Sequence, residues 1–303
     1  MKELSIVIVN YRIWTSLNLC LKSIGRQKDL DLDVIVVDND SGDNEISTFE
    51  RNYKSVKWIK NSKNHGFAKA CNIGASFAKS KWILFLNPDT ILDINTLKPL
   101  LNFCEKNQDY RLIGINQLND KNKPANSSGL FLNLWSLTGI TRALIKLFKF
   151  SKNNEVTFPD WISGSFVLVR KKDFDFLKGW DEDFWMYYED MDLCRRAKKN
   201  GFKITLLNNW SYTHSHGKAS RKNNSTKIIA KTEVIISSHI YIEKHSKKYV
   251  KYITHLILIL FQSFDLILKS LFSKTYREIL KKSIKFWIFG LLKNSWKSNM
   301  VTH

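Results

Sequence analysis

The chain has 303 residues, 44% hydrophobic and 13% aromatic, with only 12 Gly and 4 Pro, which supports one or two domains with a real core and excludes collagen-like or low-complexity classes. Its formal net charge is +20, and the excess is uneven: seventeen Lys and Arg against four Asp and Glu fall between Lys218 and the C-terminus. The four cysteines, at positions 20, 71, 104 and 194, form no CxxC pair and no metal-ligand spacing, as expected of buried thiols in a reducing compartment.

The opening MKELSIVIVNYR holds an apolar run too short for a signal-peptide core, which points to the cytosolic side. LSIVIVNY is a β-branched run, WTSLNLCLKSIGRQ has helical spacing, and DVIVVDND is a second β run ending in acid. A polar helix candidate (Asp43 to Tyr53), a short strand VKWIKN, a helix FAKACNIGASFAKS and a strand KWILFL ending in NPDT follow. This alternation predicts βαβ crossovers and a mostly parallel, Rossmann-like sheet, and the nearly continuous apolar strands predict helices on both faces. Between 116 and 217 the spacing predicts an apolar helix over 131–150. PDWISGSFVLVRKKDF reads as loop, buried strand and polar turn, and FKITLLNN reads as a strand before HSHG.

After Lys218, basic residues alternate with THLILILFQSFDLILKSLF and KFWIFGLLKNSW. Gln262, Asp265 and Lys269 share one helical face, and no uncharged run reaches the ~18 residues of a spanning helix. The pattern is amphipathic and suits an anionic membrane surface, with core packing of a solvated helix as the alternative. Charge concentrated among apolar residues, outside the sheet region, argues against a nucleic-acid footprint.

Ligands of parallel sheets bind beyond the carboxyl ends of the strands. Those ends carry Asn10 and Tyr11, Asp38 to Asp40, Asn61 to Gly66, and Asn87-Pro88-Asp89. No GxGxxG follows the first strand and no GxxxxGK[ST] occurs, so a dinucleotide dehydrogenase and a P-loop NTPase are unsupported. A nucleotidyltransferase would need a glycine-rich phosphate grip that VIVNYRIWTSLN lacks.

Asp89 suits a hard divalent cation shared with phosphate oxygens, or else a plain turn. Asp38 and Asn39 suit a base or ribose, or else an Asx-turn with Asp40 or Ser41 capping the next helix. Asn64 and Gly66 precede a helix whose N-terminus can face a diphosphate, or simply start that helix. In FWMYYEDMDLCR, Glu189 and Asp190 lie in a first helical turn, where the macrodipole favours negative charge. Asp192 reads as a helix-surface partner of Arg195 or Arg196. The aromatics before them suit the apolar face of a sugar beside a general base. His214 could join a metal or diphosphate site, or be a surface histidine.

In order, SIVIVNY, IVVDNDSGD, NHGFAKACNIG, ILFLNPDT, WISGSFVLVRK, GWDEDFWMYYEDMDLCRRAKKNGF and YTHSHG run over residues 4–217. Together they resemble family 2 glycosyltransferases of the GT-A fold, in the rhamnosyltransferase-like branch of bacterial surface-polysaccharide synthesis. The resemblance implies a nucleotide-sugar-binding half (1–115) and an acceptor-binding and catalytic half (116–217), while residues 218–303, which it does not cover, read as a basic amphipathic helical extension. It implies Tyr11, Asp38, Asn39, Asn64, Gly66 and Asn72 on the nucleotide sugar. Asp190 would be the base with Glu189 second, and Trp161, Gly164, Ser165, Trp185 and Tyr188 would serve the acceptor. Asp89, with Asn87 in place of the first acid of a DxD motif, would hold Mg2+ or Mn2+ beside His214. The implied reaction is an inverting transfer from a dTDP- or UDP-linked sugar to a saccharide or polyprenyl-diphosphate-linked acceptor. The implied location is the cytoplasmic face of the inner membrane.

Overall fold

The structure, a computed structural model, describes residues 2–133, 154–215 and 223–301. Most of the apolar segment 131–150, and residues 216–217 of HSHG, lie outside them. The first half alternates as the sequence predicts: β1 (Leu4–Asn10), α1 (Trp14–Gly25), β2 (Leu32–Asp38), α2 (Glu45–Asn52), β3 (Val56–Lys60), α3 (Phe67–Phe77) and β4 (Trp82–Leu86). These four strands lie side by side in the order β3-β2-β1-β4, all parallel.

Strand alternation sends neighbouring side chains to opposite faces. Leu4, Ile6 and Ile8 of β1 join one apolar cluster with Leu17, Val36 and Leu84, whereas Val7 and Val9 join another with Ile35, Ala70 and Phe85. Both faces are therefore covered, which is why the strands read as unbroken apolar runs.

Beyond β4 come β5 (Thr90–Leu92), α4 (Leu97–Lys106), β6 (Tyr110–Leu118), β7 (Ser128–Gly129), β8 (Val156–Thr157), β9 (Trp161–Ile162), β10 (Phe166–Arg170), α5 (Lys171–Phe176), α6 (Glu189–Lys199) and β11 (Lys203–His214). The stretch expected as a polar turn after β10 is the short helix α5. From β4 the sheet continues β10-β6-β11-β5 and becomes mixed: β10 runs antiparallel to both β4 and β6, and β11 runs parallel to β6 and antiparallel to β5.

These reversals assemble the site. Because Phe166 of β10 pairs with Leu86, the turn before β10 lies beside the carboxyl end of β4, where Asn87 N donates to Ser165 O at 3.0 Å. Because His214 of β11 pairs with Thr90, the end of β11 lies beside Asp89, whose carbonyl accepts from Ser215 N at 3.0 Å.

Three helices end the chain: α7 (Asn224–His245), α8 (Lys248–Phe272) and α9 (Lys274–Lys293). Ile236, Ile240, Tyr241 and Ile242 of α7 belong to the same apolar cluster as Val7 and Ile35, so this part of the extension packs on the core of the sheet. The core-packing alternative thus describes α7. The other two helices differ: Leu260, Phe264 and Leu271 of α8, and Ile288 and Leu292 of α9, are exposed. Among the described residues, α8 is the one helix long and apolar enough to cross a membrane by length and composition.

Candidate active site

A cleft of about 460 Å³ opens at the carboxyl edge of the sheet. It brings together Tyr11, Asn39, Asn64, Gly66, Asp89, Gly164, Ser165, Trp185, Glu189, Asp190 and His214, which the sequence places far apart.

Its floor at β1 and β2 is an amide network. Asn39 Nδ2 donates to Asn64 Oδ1 (2.9 Å) and Gly66 O (3.0 Å), while its Oδ1 accepts from Asn61 Nδ2 and His65 N, both at 3.0 Å. Asp38 does not line the cleft. Its carboxylate is buried and accepts from Asn10 Nδ2, Ser41 N and Ser41 Oγ, which is the Asx-turn alternative. Neither Asp40 nor Ser41 caps the next helix, since α2 starts after Asn44.

Gly66 is dictated twice. Its φ of +80° is a left-handed value, and a Cβ there would lie 2.2 Å from Trp185 O. That carbonyl instead accepts from Phe67 N at 2.7 Å. The first N–H of α3, open to a diphosphate in the sequence reading, is thereby committed to the segment preceding the acid pair.

At the end of β4, Asp89 and His214 are both buried, with His214 Nε2 3.0 Å from Asp89 Oδ1. Asn87 Oδ1 is buried with no hydrogen-bond partner among the described residues. Among the described residues no group of three or more His, Cys, Asp or Glu is placed to hold a metal ion. One carboxylate, one imidazole and one orphaned amide oxygen fit a magnesium- or manganese-type ion that takes its remaining ligands from phosphate and water. Behind them Ser165 Oγ joins Tyr212 OH (2.6 Å) and Gln117 Oε1 (3.2 Å) in a buried network.

The acid pair opens α6. Asp190 Oδ1 accepts from Met191 N at 2.8 Å and Oδ2 from Gly164 N at 3.0 Å. A Cβ on Gly164 would lie 3.3 Å from Asp190 Cβ, so glycine permits the close approach. Glu189 is buried and its Oε2 has no partner among the described residues. Burial pushes both carboxyls above the usual carboxylate range. Backbone N–H groups oppose the rise at both. For Glu189 the neighbouring Asp190 and Asp192 charges add to it, whereas for Asp190 burial is opposed by the N–H groups of Gly164 and Met191. The anion is thus better supported on Asp190 and the proton on Glu189.

A carboxyl whose folded pKa is raised favours the fold at low pH, and that contribution is lost as pH rises through the folded value. Glu189→Gln is therefore expected to raise the thermal midpoint at pH 8 by roughly 3 °C or more, with the gain shrinking toward pH 4. Scanning fluorimetry across that range checks this, and an unchanged midpoint at pH 8 would contradict it.

The residues just before the pair carry the strain. Tyr187 (φ 72°) and Tyr188 (φ 66°) are consecutive left-handed residues without being glycine. Each such residue costs about 1–3 kcal/mol and persists only where its surroundings hold it. The aromatics do not form one wall: Phe184 is in the core, Trp185 and Tyr187 line the cleft, and Tyr188 packs on Tyr241 of α7 at 5.9 Å.

Asp192 is not on the helix surface. It is 1% exposed and lies between Arg196 Nε (2.7 Å) and His245 Nε2 of α7 (2.6 Å). A charge so dry must be paired, and its second partner comes from a helix the sequence reading places outside the domain.

Four expected site residues do not line the cleft. Asp38 holds its turn. Asn72 bridges to Trp180 N and O and to Glu182 Oε1. Trp161 donates to Leu130 O from its place on β9, and Tyr188 faces α7. Conversely, Ser163, Met186 and Tyr187 line the cleft, as do Thr226, Ile229 and Ala230 of α7 and Met300. The first three lie within the quoted motifs WISGSFVLVRK and GWDEDFWMYYEDMDLCRRAKKNGF, so those motifs already held them; no local pattern marks the last four.

A family model described as glycosyl transferase family 2 matches residues 5–174. The rhamnosyltransferase WbbL of Escherichia coli (strain K12) is 31% identical over 155 residues, covering 46% of this chain and 57% of that protein. The N-acetylglucosaminyl-diphospho-decaprenol L-rhamnosyltransferase of Mycobacterium tuberculosis (strain ATCC 25618 / H37Rv) is 24% identical over 221 residues, covering 66% of this chain and 71% of that protein. Among solved structures, Staphylococcus aureus TarS 1-349 in complex with UDP-GlcNAc superposes with a TM-score of 0.57 at 16% identity, covering 95% of this chain and 81% of that one. That likeness shows the GT-A fold.

Proposed function

Because the chain belongs to glycosyltransferase family 2, we propose that it transfers L-rhamnose from dTDP-L-rhamnose, with inversion, to a saccharide or a polyprenyl-diphosphate-linked sugar in bacterial surface-polysaccharide synthesis. The observation that carries a base-assisted transfer is the Asp190 carboxylate, which lines the cleft and is held by two backbone N–H groups. The rhamnosyltransferase relatives support the choice of sugar. A UDP-hexose donor is the second reading, favoured by a fold neighbour solved with UDP-GlcNAc.

Asp190 takes the proton of an acceptor hydroxyl as its oxygen forms a bond to the anomeric carbon. The bond from that carbon to the diphosphate oxygen breaks, and the electron pair leaves with the nucleoside diphosphate. Trp185 and Tyr187 offer ring faces to the apolar side of a sugar. Asn39 and Asn64, already tied to each other, give a rigid edge for the nucleoside beside Tyr11. Asp89, His214 and Asn87 would hold the divalent ion, which when bound neutralises charge on the leaving diphosphate.

Product analysis over a panel of dTDP- and UDP-sugars with magnesium or manganese tests the donor. Turnover of UDP-hexoses alone would select the second reading, and no turnover of any nucleotide sugar would reject both. Asp89→Ala is expected to lower metal-dependent nucleotide affinity about tenfold or more, read by calorimetry with and without the ion. An unchanged metal dependence removes Asp89 from that role.

The exposed apolar faces of α8 and α9 support peripheral binding to the inner surface of an anionic membrane, with flanking lysines such as Lys248 and Lys269 reaching headgroups. The double variant Leu260→Glu/Phe264→Glu is expected to lower partitioning onto phosphatidylglycerol vesicles at least tenfold, with no loss of thermal stability, because both side chains face solvent. Cosedimentation equal to wild type would reject this face as the contact.

A further inference from the structure

The segment after α9 returns to the cleft. Trp296 is buried, its indole lying flat on two coplanar imidazoles: His239 of α7 (4.5 Å, 11°) and His255 of α8 (4.2 Å, 10°). Those imidazoles are themselves joined by Nδ1 to Nδ1 at 2.8 Å, with an interplanar angle of 5°. The seat admits no side chain opposite: a Cβ on Gly290 would lie 2.4 Å from the indole. Two residues further on, buried Ser298 donates its hydroxyl to the Glu233 carboxyl of α7, 3.0 Å from both oxygens. Ser298 Oγ in turn accepts from Met300 N at 3.1 Å. Burial pushes the Glu233 carboxyl up to about 7.

This double anchorage ends with Met300 in the cleft wall, beside Thr226, Ile229 and Ala230. The floor of the cleft is amide and carboxylate, whereas this wall offers methyl groups and a thioether. We infer that residues 294–301 are a built wall of the substrate cleft, and that Met300 is a specificity-determining residue whose bulk limits the size of the sugar-bearing substrate admitted. The inference rests on the nucleotide-sugar reading for its substrate, but not for the placement of the wall. An unbranched thioether fills an irregular gap and yields to small changes in shape, as a size limit on a polyhydroxylated ring requires. It also gives residues 223–301 a part in the site that lipid contact does not explain.

The test uses Met300→Cys in the full chain. The four native cysteines are buried, so thiol reagents reach the introduced thiol selectively. One portion receives a methylthio group, close to methionine in length, a second receives pyrenyl maleimide, and a third receives a nitroxide. The expected result is at least a tenfold loss of kcat/KM in the pyrenyl form relative to the methylthio form. The loss should be carried mainly by KM, with broadening of the Gly164 and Trp185 amide resonances in the nitroxide form. Absent broadening overturns the placement, and an equal KM in the two labelled forms overturns the size limit. Broadening without any binding of UDP or dTDP, in wild type as in the labelled forms, overturns the nucleotide-sugar reading and with it the role of Met300, while the wall itself stands.

Discussion

Asp190→Asn is expected to lower sugar transfer by about three orders of magnitude while leaving the affinity for UDP or dTDP within about threefold. Asparagine is nearly isosteric and still accepts from one of the two N–H groups that Met191 and Gly164 present, so the pocket keeps its shape. What disappears is the basic carboxylate oxygen that the proposed transfer uses to take the acceptor proton. Glu189→Gln separates the two acids, because the carboxyl read as already protonated loses less by becoming an amide. The base works only when ionised. Since burial raises the pair, kcat/KM in wild type should fall as pH drops through an apparent value above that of an ordinary aspartate. Transfer by Asp190→Asn at the wild-type rate would remove this residue from the reaction.

Asp192→Ala is expected to cost about 3–5 kcal/mol of folding stability, or roughly 10 °C in thermal midpoint, although Asp192 does not line the cleft. Truncation leaves Arg196 and His245 facing each other without the anion between them. Burial alone would raise this carboxyl, but the bonds from His245 and Arg196 outweigh it and hold it below the usual range. Such an acid contributes stability above its unfolded pKa and loses it as pH falls through the lower folded value. The gap between wild type and variant in urea unfolding should therefore be full at pH 7 and close progressively below about pH 4. A gap independent of pH would mean that lost packing, not lost charge, sets the cost.

The half of the fold legible in the sequence is the half whose pairing is local. β2 and β3 each follow their sheet neighbour across a single helix, β4 crosses back to lie beside β1, and strands covered on both faces must be apolar throughout, so runs such as LSIVIVN declare themselves. The mixed half is set by pairings between distant segments. Nothing within FVLVR states that β10 runs against β4, yet that direction is what carries Gly164 to Asp190. The motifs identified Asp190, Asp89 and Gly66 without their contacts. Asp38 shows the converse, since a polar residue at a strand end can face its own turn instead of a ligand. Asp192 reads as a surface residue because Arg196 is one helical turn away, while His245 lies 53 positions on. Thr226 and Met300 reach the cleft through tertiary packing that no periodicity encodes.

Two neighbouring carbonyls precede the strained tyrosines, and each is fastened to a different helix. Trp185 O accepts from Phe67 N of α3, and Met186 O accepts from Ser237 Oγ of α7. The backbone between these stitches and the acid pair behaves as a short lever clamped at two points. A slip of either helix would bear on the same carboxylates, so the Gly66 turn and the outer helical layer share one mechanical joint. Whatever presses on α8 and α9 is one packed helix away from it.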